Sequence, residues 1–157
     1  MKLSNFIYIM GKSSTGKDTI YQRLKEKIST NLYVPYTTRP MRENEEQGRE
    51  YHFITKEQFE EFEKQKKVME NRNYNVINKN GEKDIWTYAT IKDEQWDSEG
   101  DFLTIGTLES YTSILKYLKE HNEKDLNMLP IYIEISEEER KKRALERENK
   151  QLKPNIK

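Results

Sequence analysis

The glycine-rich stretch GKSSTGKDT, residues 11–19, restricts the possible folds of this 157-residue chain more than any other feature. It contains the pattern G-x-x-x-x-G-K, formed by Gly11, Gly16 and Lys17. An apolar run over 5–10, predicted to be a buried strand, precedes it, and a predicted helix follows it. A strand that passes through a glycine loop into a helix directs several backbone N–H groups at one point, which favours binding of a phosphate anion.

The side chains of this loop have predicted tasks in holding a nucleotide. Lys17 places a positive charge near the β- and γ-phosphates, and Thr19 offers a hydroxyl to a phosphate nearer the base. An ordinary glycine turn is the alternative, but the strand and helix on either side favour the phosphate function. The predicted phosphate-binding residues are Gly11, Ser13, Ser14, Thr15, Gly16, Lys17, Asp18 and Thr19.

Asp18 departs from the usual motif, in which a small hydroxyl residue follows the lysine and contacts Mg²⁺. A carboxylate is also a good oxygen ligand for that ion, directly or through a water, and the metal removes the repulsion between carboxylate and phosphates. Asp18 is therefore the predicted Mg²⁺ ligand. The alternative is that Asp18 only caps the helix, where the helix dipole favours a negative charge.

The composition narrows the class of protein. Charged residues make up 36% of the chain, and 28 basic and 28 acidic residues cancel, so no positive excess indicates a nucleic-acid or membrane partner. Cysteine is absent, which excludes disulfides and thiolate metal sites. The N-terminal segment is too short and too polar for a signal peptide or a membrane span. We expect a cytoplasmic protein, whose oligomeric state the sequence does not define.

Strands alternate with helices at both ends of the chain, with a hairpin-rich segment between them. The first helix, over 17–28, carries Ile20, Leu24 and Ile28 on one face. Two extended runs, 68–77 and 85–90, flank an Asn-Gly turn that favours a hairpin. Further predicted strands are 31–37, 51–55, 101–107 and 129–135, and further predicted helices are 56–67, 91–97, 108–121 and 137–149, with capping boxes Thr55/Gln58 and Ser136/Glu139. The order predicts a parallel α/β core with an insertion that has its own mixed sheet.

The stretch YTTRPMRENEEQGREYHF, residues 36–53, adds a second group of anion-binding side chains. Arg39 and Arg42 are three positions apart in a segment that Pro40 keeps extended, and Tyr51 follows. Guanidinium groups bind phosphate through two parallel hydrogen bonds, and a tyrosine hydroxyl adds a directional donor. Taken alone, the pattern better fits two surface arginines paired with the acidic residues Glu43, Glu45 and Glu46.

Together with the phosphate loop, this stretch resembles the guanylate kinase family. TTRPMR matches the family pattern T-T-R-x-x-R, GREYHF matches G-x-x-Y-x-F, and the resemblance extends to the basic helix after Ser136. It implies an α/β fold of one domain over 1–157. That domain would have a three-layer P-loop NTPase core with a parallel sheet (about 1–35 and 91–136), an inserted NMP-binding α+β subdomain (about 36–90) and a helical lid (about 137–150).

The resemblance also implies a reaction, the ATP- and Mg²⁺-dependent phosphorylation of GMP or dGMP. A carboxylate at Glu70 would read guanine, because N1–H and the 2-amino group are two parallel donors that adenine lacks. Core packing remains the alternative for the tyrosines, and a solvated basic helix for the lid arginines. The implied GMP-binding residues are Arg39, Arg42, Tyr51, Glu70 and Tyr88, and the implied catalytic residues are Lys17, Arg143 and Arg147.

Two other functions stay open at this point, namely a catalytically weak or silent module that binds a protein, and a kinase for a different nucleoside monophosphate.

The chain departs from the family pattern at three positions. Pro35 stands where the family has a serine that contacts the base, and Gly106 and Leu108 stand where the family has carboxylates that assist metal and guanine. The sequence also ends at KPNIK, soon after the lid helix, whereas the family continues through a further helical segment. The changes at Pro35, Gly106 and Leu108 weaken the expectation of strict guanine selectivity, and the early end leaves open a fragment or a divergent, poorly active member of the family.

Overall fold

The computed structural model of the protein describes residues 3–152, without the side chains of residues 151 and 152. The outermost parts of the predicted domain, 1–2 and 153–157, lie outside the described residues. The strands are β1 (Ser4–Gly11), β2 (Asn31–Leu32), β3 (Tyr36–Thr37), β4 (His52–Phe53), β5 (Val68–Ile77), β6 (Lys83–Ile91), β7 (Phe102–Ile105) and β8 (Leu126–Ile133). The helices are α1 (Lys17–Lys27), α2 (Lys56–Lys64), α3 (Leu108–Glu120) and α4 (Glu137–Leu152), with a 3₁₀ turn at Glu94–Asp97.

The first sheet is parallel and has the strand order β2-β7-β1-β8. In its register Tyr8 of β1 is opposite Thr104 of β7, and Gly11 is opposite Ile133 of β8. The carboxyl ends of parallel strands meet at one edge, so the loops after β1, β7 and β8 share that edge. The parallel α/β core predicted from the alternating elements is thereby confirmed.

The second sheet is mixed and has the strand order β4-β3-β6-β5. β5 and β6 pair antiparallel along their length, and the Asn78 N–H donates to the Glu82 carbonyl at 2.8 Å across the turn that joins them. Gly81 in that turn has φ 77°, a conformation that favours glycine. The predicted hairpin and mixed sheet are therefore present.

One apolar cluster connects the two sheets. Met69 of β5 belongs to the same buried cluster as Phe6 of β1 and Ile114 of α3. The indole of Trp96 stacks on Tyr33 with ring centroids 4.7 Å apart, and its N–H donates to the Ile91 carbonyl. The cluster comprises Phe6, Tyr8, Met10, Tyr33, Met69, Phe102, Ile114, Tyr117 and Leu118.

Two predictions about elements need correction. The single strand predicted over 31–37 is two short strands in different sheets, because the chain crosses between the sheets at Val34 and Pro35. The strand predicted over 129–135 is β8, which begins and ends earlier, and within residues 3–152 it has a neighbouring strand on one side only, so that Leu129 and Ile131 are 41% and 40% exposed. The helix predicted over 17–28 is confirmed as α1, but α1 buries none of its residues, all of which the structure describes, and Ile20 on its apolar face is exposed.

Helices α2 and α4 begin at the residues that the capping patterns predict, Lys56 and Glu137. Thr55 and Gln58 form the complete predicted capping box of α2. At α4 the Ser136 hydroxyl accepts from the Glu139 N–H at 3.2 Å, while the Glu139 carboxylate pairs with Arg143. Across residues 3–152, the helices are too short or too polar to pass through a lipid bilayer.

Candidate functional site

The glycine loop after β1 is shaped by a close contact at Gly11 and by left-handed backbone conformations further along the loop. A Cβ on Gly11 would lie 2.8 Å from the Ile133 carbonyl oxygen, so β8 leaves no room for a side chain there. Ser14 and Gly16 have φ values of 65° and 85°. Left-handed residues in such a turn direct backbone N–H groups into a concavity that binds anions. The Thr15 hydroxyl donates to the Lys12 carbonyl at 2.8 Å and holds the loop closed.

The helix after this loop begins with the three predicted side chains. Gly16 is the N-cap of α1 and supplies no side-chain cap, so Asp18 is the second residue of the helix. Lys17 is partly buried, whereas Asp18 and Thr19 are exposed. Within residues 3–152 Lys17 has no carboxylate at ion-pair distance, which leaves its charge available to an anion.

Helix α4 lies against the glycine loop. Arg143 Nη1 donates to the Thr15 carbonyl at 3.5 Å, and Arg147 Nη2 donates to the Ser14 hydroxyl. Glu139, one turn earlier, orients Arg143 by accepting from its Nε at 3.1 Å. The two arginines named from the sequence are therefore brought to the glycine loop, although 128 and 133 residues of sequence separate the bonded partners.

Arg39 is the buried arginine of the second predicted cluster. Its side chain is 4% exposed, and its two Nη groups donate to both carboxylate oxygens of Glu45 at 2.7 and 2.8 Å. These paired hydrogen bonds lower the pKa of Glu45 to about 2. Glu45 also accepts from the Arg42 backbone N–H at 2.9 Å, while the Arg42 side chain is exposed. The carboxylate thus uses the donors of Arg39 that a bound phosphate would need.

A continuous line of side chains leads from Arg39 along the second sheet. The Arg39 guanidinium lies over the Tyr51 ring at 5.5 Å, and the Tyr51 and Tyr88 rings meet edge to face at 5.5 Å. The Arg72 guanidinium lies 5.9 Å from the Tyr88 ring, and Arg72 is the cross-strand partner of Tyr88. The line ends at Glu70, whose Oε2 is 3.4 Å from Arg72 Nε.

Glu70 is enclosed at the end of this line. Its Oε1 accepts from the Thr90 hydroxyl at 2.8 Å, and its side chain is only 2% exposed. Burial raises the pKa of Glu70, and the nearby charge of Arg72 opposes that rise. Within the described chain, Glu70 Oε2 and Arg72 Nε have no hydrogen-bond partner. Two buried polar atoms with unused bonding capacity are expected at a binding site rather than in a purely structural core.

Tyr8 explains why position 106 is a glycine in this chain, where the guanylate kinase pattern has a carboxylate. Its hydroxyl is 2.5 Å from the Ser110 Oγ, and a Cβ on Gly106 would overlap this hydroxyl and ring. Burial raises the pKa of Tyr8 to about 12. A carboxylate at position 106 therefore cannot coexist with Tyr8 in this arrangement. Leu108, the first residue of α3, is 57% exposed.

The fit to Mg²⁺ depends on Asp18. Residues 3–152 contain no group of three or more His, Asp or Glu side chains that could hold a metal. Mg²⁺ at a nucleotide site needs only one or two carboxylates, because the phosphates and waters supply its other ligands. An exposed carboxylate directly after Lys17 fits that kind of site.

A sequence model of the family described as guanylate kinase matches residues 4–86, more than half of the chain. The chain belongs to the guanylate kinase family. The match includes the glycine loop, Arg39, Arg42, Tyr51 and Glu70 but ends before Tyr88 and the α4 arginines. The family match does not cover Tyr88, Arg143 and Arg147, so only their contacts in the structure connect these three residues with the site.

Individual guanylate kinases match over short segments. The guanylate kinase of Lawsonia intracellularis is 44% identical over 54 residues, which are 34% of this chain and 26% of that protein. The guanylate kinase of Chlorobium luteolum is 43% identical over 60 residues, 38% of this chain and 30% of that protein. These matches thus span less than a third of each relative.

The solved guanylate kinase of Anaplasma phagocytophilum has a similar fold. Its TM-score is 0.57 at 22% identity, and the match covers 92% of this chain and 69% of that one. The P-loop NTPase α/β fold is therefore confirmed.

Arg72 is a residue of this region that the sequence analysis did not single out. The two-residue repeat of a strand places it on the same face of β5 as Glu70, so the spacing could have indicated it.

Proposed function

We propose that the protein transfers the γ-phosphoryl group of ATP to a nucleoside monophosphate, with GMP or dGMP as the acceptor. The observation that carries this proposal is the contact of Arg143 and Arg147 with the glycine loop. Together with Lys17 at the start of α1, three cations and a backbone concavity are available to one polyphosphate. Phosphoryl transfer depends mainly on such positioning and charge stabilisation.

The acceptor phosphate would bind to Arg39, Arg42, Tyr51 and Tyr88. Arg39 can exchange its bidentate bond to Glu45 for an equivalent bond to phosphate, since both anions present two oxygens in one plane. Glu70 would take part in recognising guanine. The line of contacts from Arg39 to Glu70 supports an acceptor that has a phosphate at one end and a base at the other.

The protein groups would act by holding the two phosphates in line and neutralising the charge that spreads over the transferred oxygens. Lys17, Arg143 and Arg147 would contact the transferred group, and Arg39 would orient the acceptor. Asp18 would hold Mg²⁺, which neutralises the β- and γ-phosphates when bound. A general base is unnecessary because the acceptor phosphate is already ionised near neutral pH. Closure of α4 over the loop would exclude water and so prevent simple hydrolysis of ATP.

The direct test is a panel of nucleoside and deoxynucleoside monophosphates with ATP and Mg²⁺, with ADP and the diphosphate product separated by chromatography. GMP and dGMP should give stoichiometric ADP and diphosphate, and Lys17→Ala should reduce this turnover by on the order of 10²-fold or more. Absence of product with every monophosphate would refute the proposal. If the acceptor cleft then bound a peptide, the silent-module function would be favoured instead.

A further inference from the structure

Arg72 is a charged residue of the acceptor face to which the function proposed above gives no role. It lies on β5 two residues after Glu70, and β6 places Tyr88 opposite it. The Arg72 side chain is 17% exposed, compared with 2% for Glu70. Arg72, rather than Glu70, is therefore the residue of this pair whose side chain reaches the surface.

The carboxylate of Glu70 is poorly placed to read a base directly. One of its oxygens already accepts from Thr90, and the other is covered by Arg72 Nε at 3.4 Å. Direct reading of guanine N1–H and the 2-amino group would need both oxygens in parallel and open to the ligand. In this chain, the arginine beside it and the 2% exposure of its side chain would keep the carboxylate from the 2-amino group.

The surroundings of Arg72 suit a base. Arg72 shares an open pocket of about 520 Å³ with Tyr51, Tyr74 and Tyr88, so the guanidinium is adjacent to aromatic rings. The pocket includes the two tyrosines assigned above to the acceptor phosphate, which places Arg72 within the same ligand's reach. A guanidinium carries only donors. It matches the O6 and N7 acceptors of a 6-oxopurine, whereas adenine presents a donor amino group at position 6.

We propose that Arg72, oriented by Glu70, selects the acceptor base, and that it accepts 6-oxopurine monophosphates with guanine or hypoxanthine alike. The 2-amino group is then not read. This inference rests on the proposed monophosphate site, and it goes further by exchanging the base-reading carboxylate for a guanidinium. Glu70 becomes a positioning residue whose negative charge holds Arg72 in place.

The test compares the binding of GMP, IMP and AMP to the full chain by titration calorimetry, alongside turnover with ATP and Mg²⁺. GMP and IMP differ only in the 2-amino group. Their dissociation constants should agree within about threefold, while AMP should bind on the order of 100-fold more weakly because its 6-amino group faces unpaired donors. If IMP bound at least about tenfold more weakly than GMP, the 2-amino group would be read by a charged partner and the inference would be overturned.

Arg72→Ala tests the same point from the opposite side. Removing the guanidinium uncovers Glu70, so the preference for GMP over IMP should rise to about tenfold or more. An unchanged ratio would overturn the inference. Arg23→Ala, an exposed arginine on α1, is the matched control and should leave the ratio as in the unmodified protein. Should the unpaired Glu70 prevent folding of the alanine variant, the GMP-to-IMP ratio of the unmodified protein still decides.

The two readouts separate this inference from the proposed function. Equal binding of GMP and IMP, with much weaker binding of AMP and without formation of ADP, would refute phosphoryl transfer and support the role of Arg72. Turnover with a strong preference for GMP over IMP would support phosphoryl transfer and refute that role. Binding of none of the three monophosphates would refute both.

Discussion

The phenol of Tyr8 occupies the space that a side chain at Gly106 would need. Tyr8 lies in β1, Gly106 directly follows the neighbouring parallel strand β7, and the Gly106 N–H also donates to the Ile9 carbonyl at 2.9 Å, which holds the backbones together. The overlap involves the ring as well as the hydroxyl. The glycine at 106 and the tyrosine at 8 are therefore mutually dependent.

We expect Gly106→Ala to lower the free energy of unfolding by about 1–3 kcal/mol, because the added methyl group must displace a buried ring. Urea denaturation at neutral pH measures this change. Adding Tyr8→Leu removes the overlap, so the double variant should be more stable than the sum of the single changes predicts. Strict additivity in this cycle would show that the two residues do not compete for space.

Removal of either α4 arginine should affect the chemical step. If these groups act on charge that develops during transfer, as proposed, Arg143→Ala and Arg147→Ala should each lower kcat on the order of 10²-fold with a smaller change in the KM for GMP. Steady-state kinetics with ATP and GMP provides the measurement. Lys142→Ala, an exposed cation on the same helix, is the control and should behave as the unmodified protein. Equal effects of all three changes would indicate only a loss of general positive charge.

Asp18→Ala distinguishes a metal-binding role from a helix-stabilising one. If Asp18 holds Mg²⁺ directly or through a water, the Mg²⁺ concentration for half-maximal turnover should rise about 10- to 100-fold. If the carboxylate only interacts with the helix dipole, stability should fall by about 0.3–1 kcal/mol and the Mg²⁺ dependence should stay the same. Asp97→Ala, at an exposed aspartate in the 3₁₀ turn, is the control for both measurements.

The ion pair of Glu45 with Arg39 should make stability depend on acid pH. Arg39 lowers the pKa of Glu45 from 4.5 to about 2, so the folded state binds this proton more weakly than the unfolded state does. The stabilisation is therefore complete above about pH 4.5 and is lost as the pH falls towards 2. Glu45→Gln should reduce the free energy of unfolding at pH 7 by on the order of 1 kcal/mol, and this difference should shrink over that acid range.

The measurement for Glu45 is urea denaturation at several pH values between 7 and about 3. Glu60→Gln, on an exposed face of α2, controls for the general loss of one negative charge. A difference between Glu45→Gln and the unmodified protein that stays constant with pH would show that the ionised pair does not stabilise the fold.

Local patterns predicted the elements that short-range chemistry controls. The apolar run before Gly11, the Asn-Gly turn and the Thr55 cap each depend on residues within a few positions, and each gave the expected element. Whether the apolar face of an element is buried was harder to predict. The apolar spacing on α1 predicted one helical face, yet this face stays exposed because a hydrophobic repeat does not specify what packs against it.

Short-range sequence patterns were sufficient to predict a glycine loop between a strand and a helix, and a cluster of arginines and tyrosines before a hairpin. Those features depend on backbone chemistry and residue type at short spacing. Three relationships required the folded structure: Arg147 reaches Ser14, Tyr8 excludes a side chain at Gly106, and Arg72 Nε lies against Glu70. These relationships depend on strand register and on the packing of segments that are distant in sequence, and a pattern along one chain does not encode them in any local form.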